Sequence, residues 1–447
     1  MTTTRTEDPA WRRRRIMGLA LPIIGGMVSQ NLLNLVDTAM VGQLGDAALA
    51  ATGVGGFVFF MGIAAMMGFS SGVQAMSSRR VGEGRHDETA EPLNAGLIAA
   101  IAFGLPMSLA LVLITPQLFP LLNGDPAVYN EGIPYLQARL STLALGGMGL
   151  AFRGFFNGTD RPVVYMRTLL ITHAVNIVLN ALLIFGLFGA PKLGVLGAGI
   201  GSAVATFVGA VVYGVQALAE ARDKGFLRRR PERAELRQLV RLSVPASAQQ
   251  LLFAAGLTVM FGIIGMVSTR ATAAASVLVN VMLVAILPSV GMGLAAATLV
   301  GQSLGRGDPE GAKRWGWQVA RLGFLWLGAL GLLGALLAEP ILGFFLHDPE
   351  TLAVAVPPLR IFASVIGLDA IGLVLMNALL GAGYNRVAMQ VSVLTQWGLF
   401  LPVAYGLVAW GGFGLLEIWI ANAGYRLIQA GIYAAIWRRG AWQRVKI

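Results

Sequence analysis

Runs of mostly apolar residues, separated by short charged or Gly/Pro/Asn turns, fill almost the whole chain. A bilayer core about 30 Å thick takes roughly 20 helical residues to cross. Breaking the sequence at its turns predicts twelve such segments: 16–44, 49–76, 93–118, 133–156, 168–188, 194–218, 241–266, 271–300, 316–338, 356–380, 389–410 and 413–436. Only the charged central stretch EARDKGFLRRRPERAELRQLVR makes a long spacer. The expected organisation is an all-α integral membrane protein with a tail over 1–15, a six-helix lobe over 16–218, a linker over 219–241, a second six-helix lobe over 242–436 and a tail over 437–447.

The pattern repeats. At a shift of 223 residues Pro22 falls on Pro245, Gly42 on Gly265, Gly68 on Gly291 and Gly82 on Gly305, and the loops VGEGRHDE and LGRGDPEG match in character. At a shift of 225, Gly158-Thr-Asp-Arg161 falls on Gly383-Tyr-Asn-Arg386. Six spans per half is an even number, so both halves enter the membrane in the same direction and form a parallel repeat. Two such bundles around a midplane cleft suit alternating access, and a long linker suits lobes that rock.

Composition agrees with the pattern. Hydrophobic residues reach 56% and charged residues only 12%, against about 45–50% and 25% in soluble domains, and the mean hydropathy is +0.70. A formal charge of +11 would suggest nucleic acid in a soluble chain, but 28 of the 33 Lys and Arg fall on one side, in the tails, in alternate loops or at the span ends beside them. That is the positive-inside pattern, with both termini cytoplasmic and no nucleic-acid partner. The absence of cysteine excludes disulfides, thiolate nucleophiles and Cys-type metal sites. No G-x-x-x-x-G-K-[ST] or H-E-x-x-H occurs, which argues against an ATPase engine and against an enzyme.

Polar residues inside apolar spans are costly and mark function. In the first span Gln30, Asn34 and Asp37 share a helical face, and in the fifth His173, Asn176 and Asn180 do the same. The two stripes are expected to meet across a hydrated pocket. A carboxylate there can exchange a proton with the help of amide neighbours, or its oxygens can join a cation site. Asp369 in the tenth span is a second candidate, or a structural partner of Arg360 or Arg426. Met27, Phe57 and Met260 belong to a set of Met and Phe that could line an adaptable apolar cavity.

With LPIIGGMVSQNLLNLVDTAMVGQLG in the first span, SSRRVGEGRHDE and VGQSLGRGDPEGAKR as paired loops, NGTDRPVVYM, NIVLNALLIFG and LGVLGAGIGSAVAT, the chain resembles the multidrug and toxic compound extrusion (MATE) family of ion-driven exporters along nearly its whole length. The resemblance implies that Asp37 is the family's first-span coupling aspartate, that Gln30 lies in the drug cavity and that Asn176 and Asn180 partner the aspartate. It also shows departures. Asn180 stands where one bacterial branch has an aspartate, and the seventh span (LSVPASAQQLLFAAGLTVMF) lacks the glutamate that other members pair with the counterpart of Asp369.

The expected function is a bacterial inner-membrane antiporter, monomeric, that exports small amphipathic organic cations. Ion coupling is assigned to Asp37, Asn34, Asn176, Asn180 and Asp369, and the substrate cavity to Gln30, Met27, His173, Phe57 and Met260. No cofactor is expected beyond the coupling ion, a proton in preference to Na+ at Asp37 or Asp369. The alternatives are a lipid-linked oligosaccharide flippase of the same superfamily and, in a different class, a membrane enzyme that modifies lipids.

Overall fold

A computed structural model describes residues 8–445 and 447; residues 1–7 of the expected N-terminal tail and Lys446 of the C-terminal tail lie outside the described residues. Every regular element among the described residues is helical: α1 (Pro9–Gly42), α2 (Asp46–Ala64), α3 (Met67–Gly82), α4 (Glu91–Leu122), α5 (Pro126–Leu140), α6 (Leu143–Gly158), α7 (Pro162–Phe185), α8 (Gly194–Glu220), α9 (Arg233–Gly265), α10 (Thr269–Gly305), α11 (Pro309–Leu336), α12 (Ala338–Gly343), α13 (Pro349–Gly381), α14 (Asn385–Val393), α15 (Leu401–Ala409) and α16 (Leu415–Arg439), with a few 3-10 turns and one π turn. Ten passes are long and apolar enough to cross a membrane. The α5–α6 pass and α16 complete the twelve expected from the sequence. The first is broken into two short helices, and the second carries Asn422, Arg426 and Gln429 in its apolar run.

Local chemistry accounts for the boundaries. Helix α1 begins earlier than the expected span because Asp8 accepts from the backbone N–H of Ala10 at 2.9 Å and Pro9 occupies the first turn. The α5–α6 break falls at Ser141 and Thr142, whose hydroxyls donate to the carbonyls of Ala138 (2.7 Å) and Arg139 (2.8 Å) and so compete with the helical ladder. The eleventh pass runs from α14 to α15 through the π turn Leu394–Phe400, just before Pro402, which has no N–H to return to the preceding turn.

The backbone divides into two compact units, Gly25–Ser247 (the N-unit) and residues through Ile24 with Ala248–Ile447 (the C-unit). Both cuts fall inside long helices, α1 and α9, three residues after Pro22 and Pro245. Residues 25 and 248 are separated by 223, the shift of the sequence repeat. In the N-unit, Val41, Ala51, Phe119, Tyr135, Leu136 and Ile184 form a core. The start of α9 belongs here: Ser247 Oγ accepts from the Gly68 N–H at 3.0 Å and Glu235 pairs with Arg80. In the C-unit, Ile16, Leu19 and Ala20 of α1 pack with Met292, Leu375 and Trp437.

The connection between α8 and α9 is shorter than the expected 219–241 linker, because the helices extend to Glu220 and from Arg233. It is folded onto α4. The Asn94 amide donates to the carbonyls of Gly225 (2.9 Å) and Arg229 (3.2 Å) and accepts from the Leu227 N–H (3.0 Å). This segment is therefore a fixed part of the N-unit, unlike the loose tether that its charge and length suggest.

Candidate functional site

The two polar stripes meet. Helices α1 and α7 are joined by two side-chain contacts, each between residues 143 apart: His173 Nε2 with Gln30 Oε1 at 3.1 Å, and Asn180 Nδ2 donating to Asp37 Oδ1 at 2.9 Å. A constant offset over two helical turns means that the helices run parallel and in register. Asn34 accepts from Gln30 at 3.2 Å, which keeps the first stripe continuous.

Behind Asp37 the contacts form a directed chain. Asn180 Nδ2 donates to Asp37 and also to Asn176 Oδ1 (3.1 Å), and Asn176 Nδ2 donates to Ser202 Oγ (3.0 Å) on α8. Two acceptors fix which end of the Asn180 amide faces Asp37. Its Oδ1 points away, buried and without a hydrogen bond, toward Gly201 of α8, where an added Cβ would lie 2.2 Å from it. His173, Asn176 and Asn180 are buried, whereas Asp37, Gln30 and Met27 are only partly covered and Asn34 is exposed. The carboxylate thus has an open side and an amide-lined side.

Asp369 is placed differently. It is buried on α13 with its Oδ2 2.7 Å from Nη1 of Arg426 on α16, and the two side chains are 4% and 5% exposed. Of the cavity residues, Met260 is packed in the C-unit core among Ile263, Leu278 and Phe400 and lines no open space. Phe57 is 47% exposed on an open apolar groove of about 510 Å³ with Val54, Met61, Leu118 and Leu122, a lining that includes none of the α1 or α7 polar residues. Its neighbour Phe59 instead carries the guanidinium of Arg139, whose Cζ lies 4.2 Å from the ring centroid.

Sequence reasoning missed Ser202 and Arg139 as parts of this neighbourhood. Ser202 carries no signal, since a serine in a Gly/Ala-rich helix is ordinary. Arg139 was legible as an ionisable residue within a span, but its place within electrostatic reach of Asp37 depends on how α5 packs on α8. Among the described residues no three His, Asp or Glu side chains cluster, so a cation at Asp37 would rely on amide and hydroxyl oxygens.

The MatE family model matches residues 22–182 and 245–406, one match in each half of the chain and together most of its length. The chain belongs to the MATE family. Its curated relatives include the probable multidrug resistance protein NorM of Thermotoga maritima, 27% identical and covering 97% of this chain and 93% of that one. The multidrug resistance protein NorM of Burkholderia vietnamiensis is 28% identical over 94% and 92% of the two chains. Among solved structures, an outward-facing multidrug resistance MATE transporter of the MOP superfamily superposes with a TM-score of 0.89 at 21% identity, covering 97% of each chain. The Vibrio cholerae MATE transporter VcmN in its bent form gives 0.87 at 19%, covering 96% of this chain and 97% of that one. At these identities the structures establish the twelve-helix MATE fold, and family membership makes the chain a multi-pass membrane transporter rather than an enzyme.

Proposed function

We propose that this MATE protein is a bacterial inner-membrane antiporter, with both termini cytoplasmic, that exports amphipathic organic compounds bearing a positive charge in exchange for protons taken up at Asp37. The observation that carries the reading is the amide N–H of Asn180 aimed at Asp37 Oδ1. A donor held against a carboxylate compensates its charge when the proton leaves. The same donor stands where a chelated cation would need an oxygen, and the oxygen of that amide faces Gly201. Proton exchange fits this donor set better than sodium binding. The NorM names of the relatives support multidrug efflux as the task.

The test is ethidium efflux from proteoliposomes under a pH gradient or a sodium gradient, each applied alone. Wild type is expected to respond to the pH gradient. Asp37→Asn is expected to abolish coupled efflux while inserting normally, since the amide is isosteric and most of the site is already amide. Efflux at the wild-type rate in that variant, or efflux driven by sodium alone, would overturn the assignment.

A further inference from the structure

The N-unit holds an opposite charge close to Asp37 that the exporter reading does not use. Arg139 lies thirteen residues beyond Pro126 and nineteen short of Gly158, near the middle of the α5–α6 pass. Two glycines of α8 fix its level. A Cβ at Gly199 would lie 3.2 Å from the Ala138 methyl, and one at Gly201 would lie 2.2 Å from Asn180 Oδ1. One turn of α8 therefore touches both the residue before Arg139 and the amide that holds Asp37. The guanidinium rests on the Phe59 ring, its Nε is buried without a hydrogen bond, and among the described residues Arg139 forms no ion pair. Asp37 is the carboxylate within its electrostatic reach.

A guanidinium halfway through a membrane pass is expensive unless a charge or a water-filled path compensates it. Its planar fork matches a carboxylate, and one face is already stacked on an aromatic ring, which orients the fork at little entropic cost. Structural duty alone is a poor account, because a packing arginine at this depth would be expected to be matched by a carboxylate, as Arg426 is by Asp369. We infer that Arg139 is an anion subsite of the substrate path, one that takes the carboxylate of an amphiphile whose positively charged part faces Asp37 and Gln30. The inference rests on the exporter reading and narrows its substrate class to compounds carrying an acidic group beside the cationic one.

A matched dye pair tests it. Rhodamine 123 is the methyl ester of rhodamine 110, so the two differ at one carboxyl group, ester in the first and free acid in the second. In proteoliposomes under the driving gradient, wild type should export both. Arg139→Gln should lower export of the free acid relative to that of the ester about tenfold or more, the loss expected for one charge-assisted contact. Arg139→Lys should keep part of the preference for the acid. In wild type, an excess of benzoate should slow export of the acid and spare the ester, which tests the subsite even if the variants fold poorly. Equal loss of both dyes in Arg139→Gln, or benzoate inhibition blind to the carboxyl group, would make Arg139 a packing residue. Export of the ester alone by wild type removes the subsite and leaves the exporter reading standing; export of neither removes both.

Discussion

The two halves of the repeat place different chemistry at matching positions. In the N-unit, α1 carries Gln30, Asn34 and Asp37 against His173, Asn176 and Asn180 of α7. At 223 residues further on, α9 carries Phe253, Leu257 and Met260, and the eleventh pass carries Gln396, Leu399 and Val403. The offset of 143 between contacting residues survives in the C-unit, where Gln396 Nε2 donates to the Phe253 carbonyl at 3.3 Å and Gln249 Nε2 to Ser392 Oγ at 3.0 Å. The partners there are a backbone carbonyl and a hydroxyl, and neither can titrate. The charge of the C-unit sits elsewhere, on α13 and α16, where Asp369 is already matched by Arg426. One lobe keeps a partly covered carboxylate held by an amide; the other holds its buried carboxylate in an ion pair with arginine.

The largest effect follows from breaking that pair. Arg426→Leu leaves Asp369 buried without its cation and should destabilise the protein by about 3–5 kcal/mol, read as a drop in the detergent melting temperature. Replacing both partners with leucine should recover most of the loss, because two well-packed apolar side chains are close to neutral in place of a buried ion pair. The comparison requires the double variant to retain ion-coupled efflux per folded molecule. A stable double variant with uncoupled efflux would move the coupling into the C-unit.

How far the sequence carries differs between these regions. Twelve passes, the parallel repeat and the facing stripes of α1 and α7 all follow from hydrophobic length and helical spacing, which are local. Of the two pairings open to Asp369, Arg360 lies nine residues earlier on the same helix, about 13.5 Å along and on the opposite face, so helical spacing excludes it. The packing of α13 on α16 brings in Arg426. The packed position of Met260 was not legible, since the same side chain suits a core or a cavity. Nor was the neighbourhood of Arg139, which is built by α8 from Gly199 and Gly201 and involves three passes distant in the chain. The folded linker escaped for a related reason: Asn94, which clamps it, is 131 residues from its partner Gly225.

A smaller effect should come from the glycine behind the coupling amide. In Gly201→Ala the new methyl would lie 2.2 Å from Asn180 Oδ1, so the carboxamide must rotate or withdraw, weakening its bond to Asp37. Overpacking of this kind costs about 1–3 kcal/mol, partly offset by the roughly 1 kcal/mol by which alanine is the better helix former. Pulling the donor off the carboxylate should slow coupled efflux about tenfold. Unchanged efflux, with a lowered melting temperature proving that the methyl is accommodated by strain, would show that Asn180 does not tune Asp37.

The C-unit supplies the matching control and the smallest effect. Gly256 of α9 makes room for Gln396 as Gly201 does for Asn180: an added Cβ would lie 2.2 Å from Gln396 Nε2. Gly256→Ala should displace that amide and lose its long 3.3 Å bond to the Phe253 carbonyl. That carbonyl remains in its helix, so its loss is worth no more than about 1 kcal/mol, and the helix-forming advantage of alanine is of the same size. The melting temperature should therefore change little, and ion-coupled efflux should stay at the wild-type rate. Each alanine presses a methyl onto a buried amide, in the first case between α8 and α7 beside Asp37 and in the second between α9 and the eleventh pass beside a backbone carbonyl that cannot titrate. A coupling defect in Gly256→Ala as deep as that in Gly201→Ala would mean that both contacts report only on helix packing, and the asymmetry between the halves would lose its functional meaning.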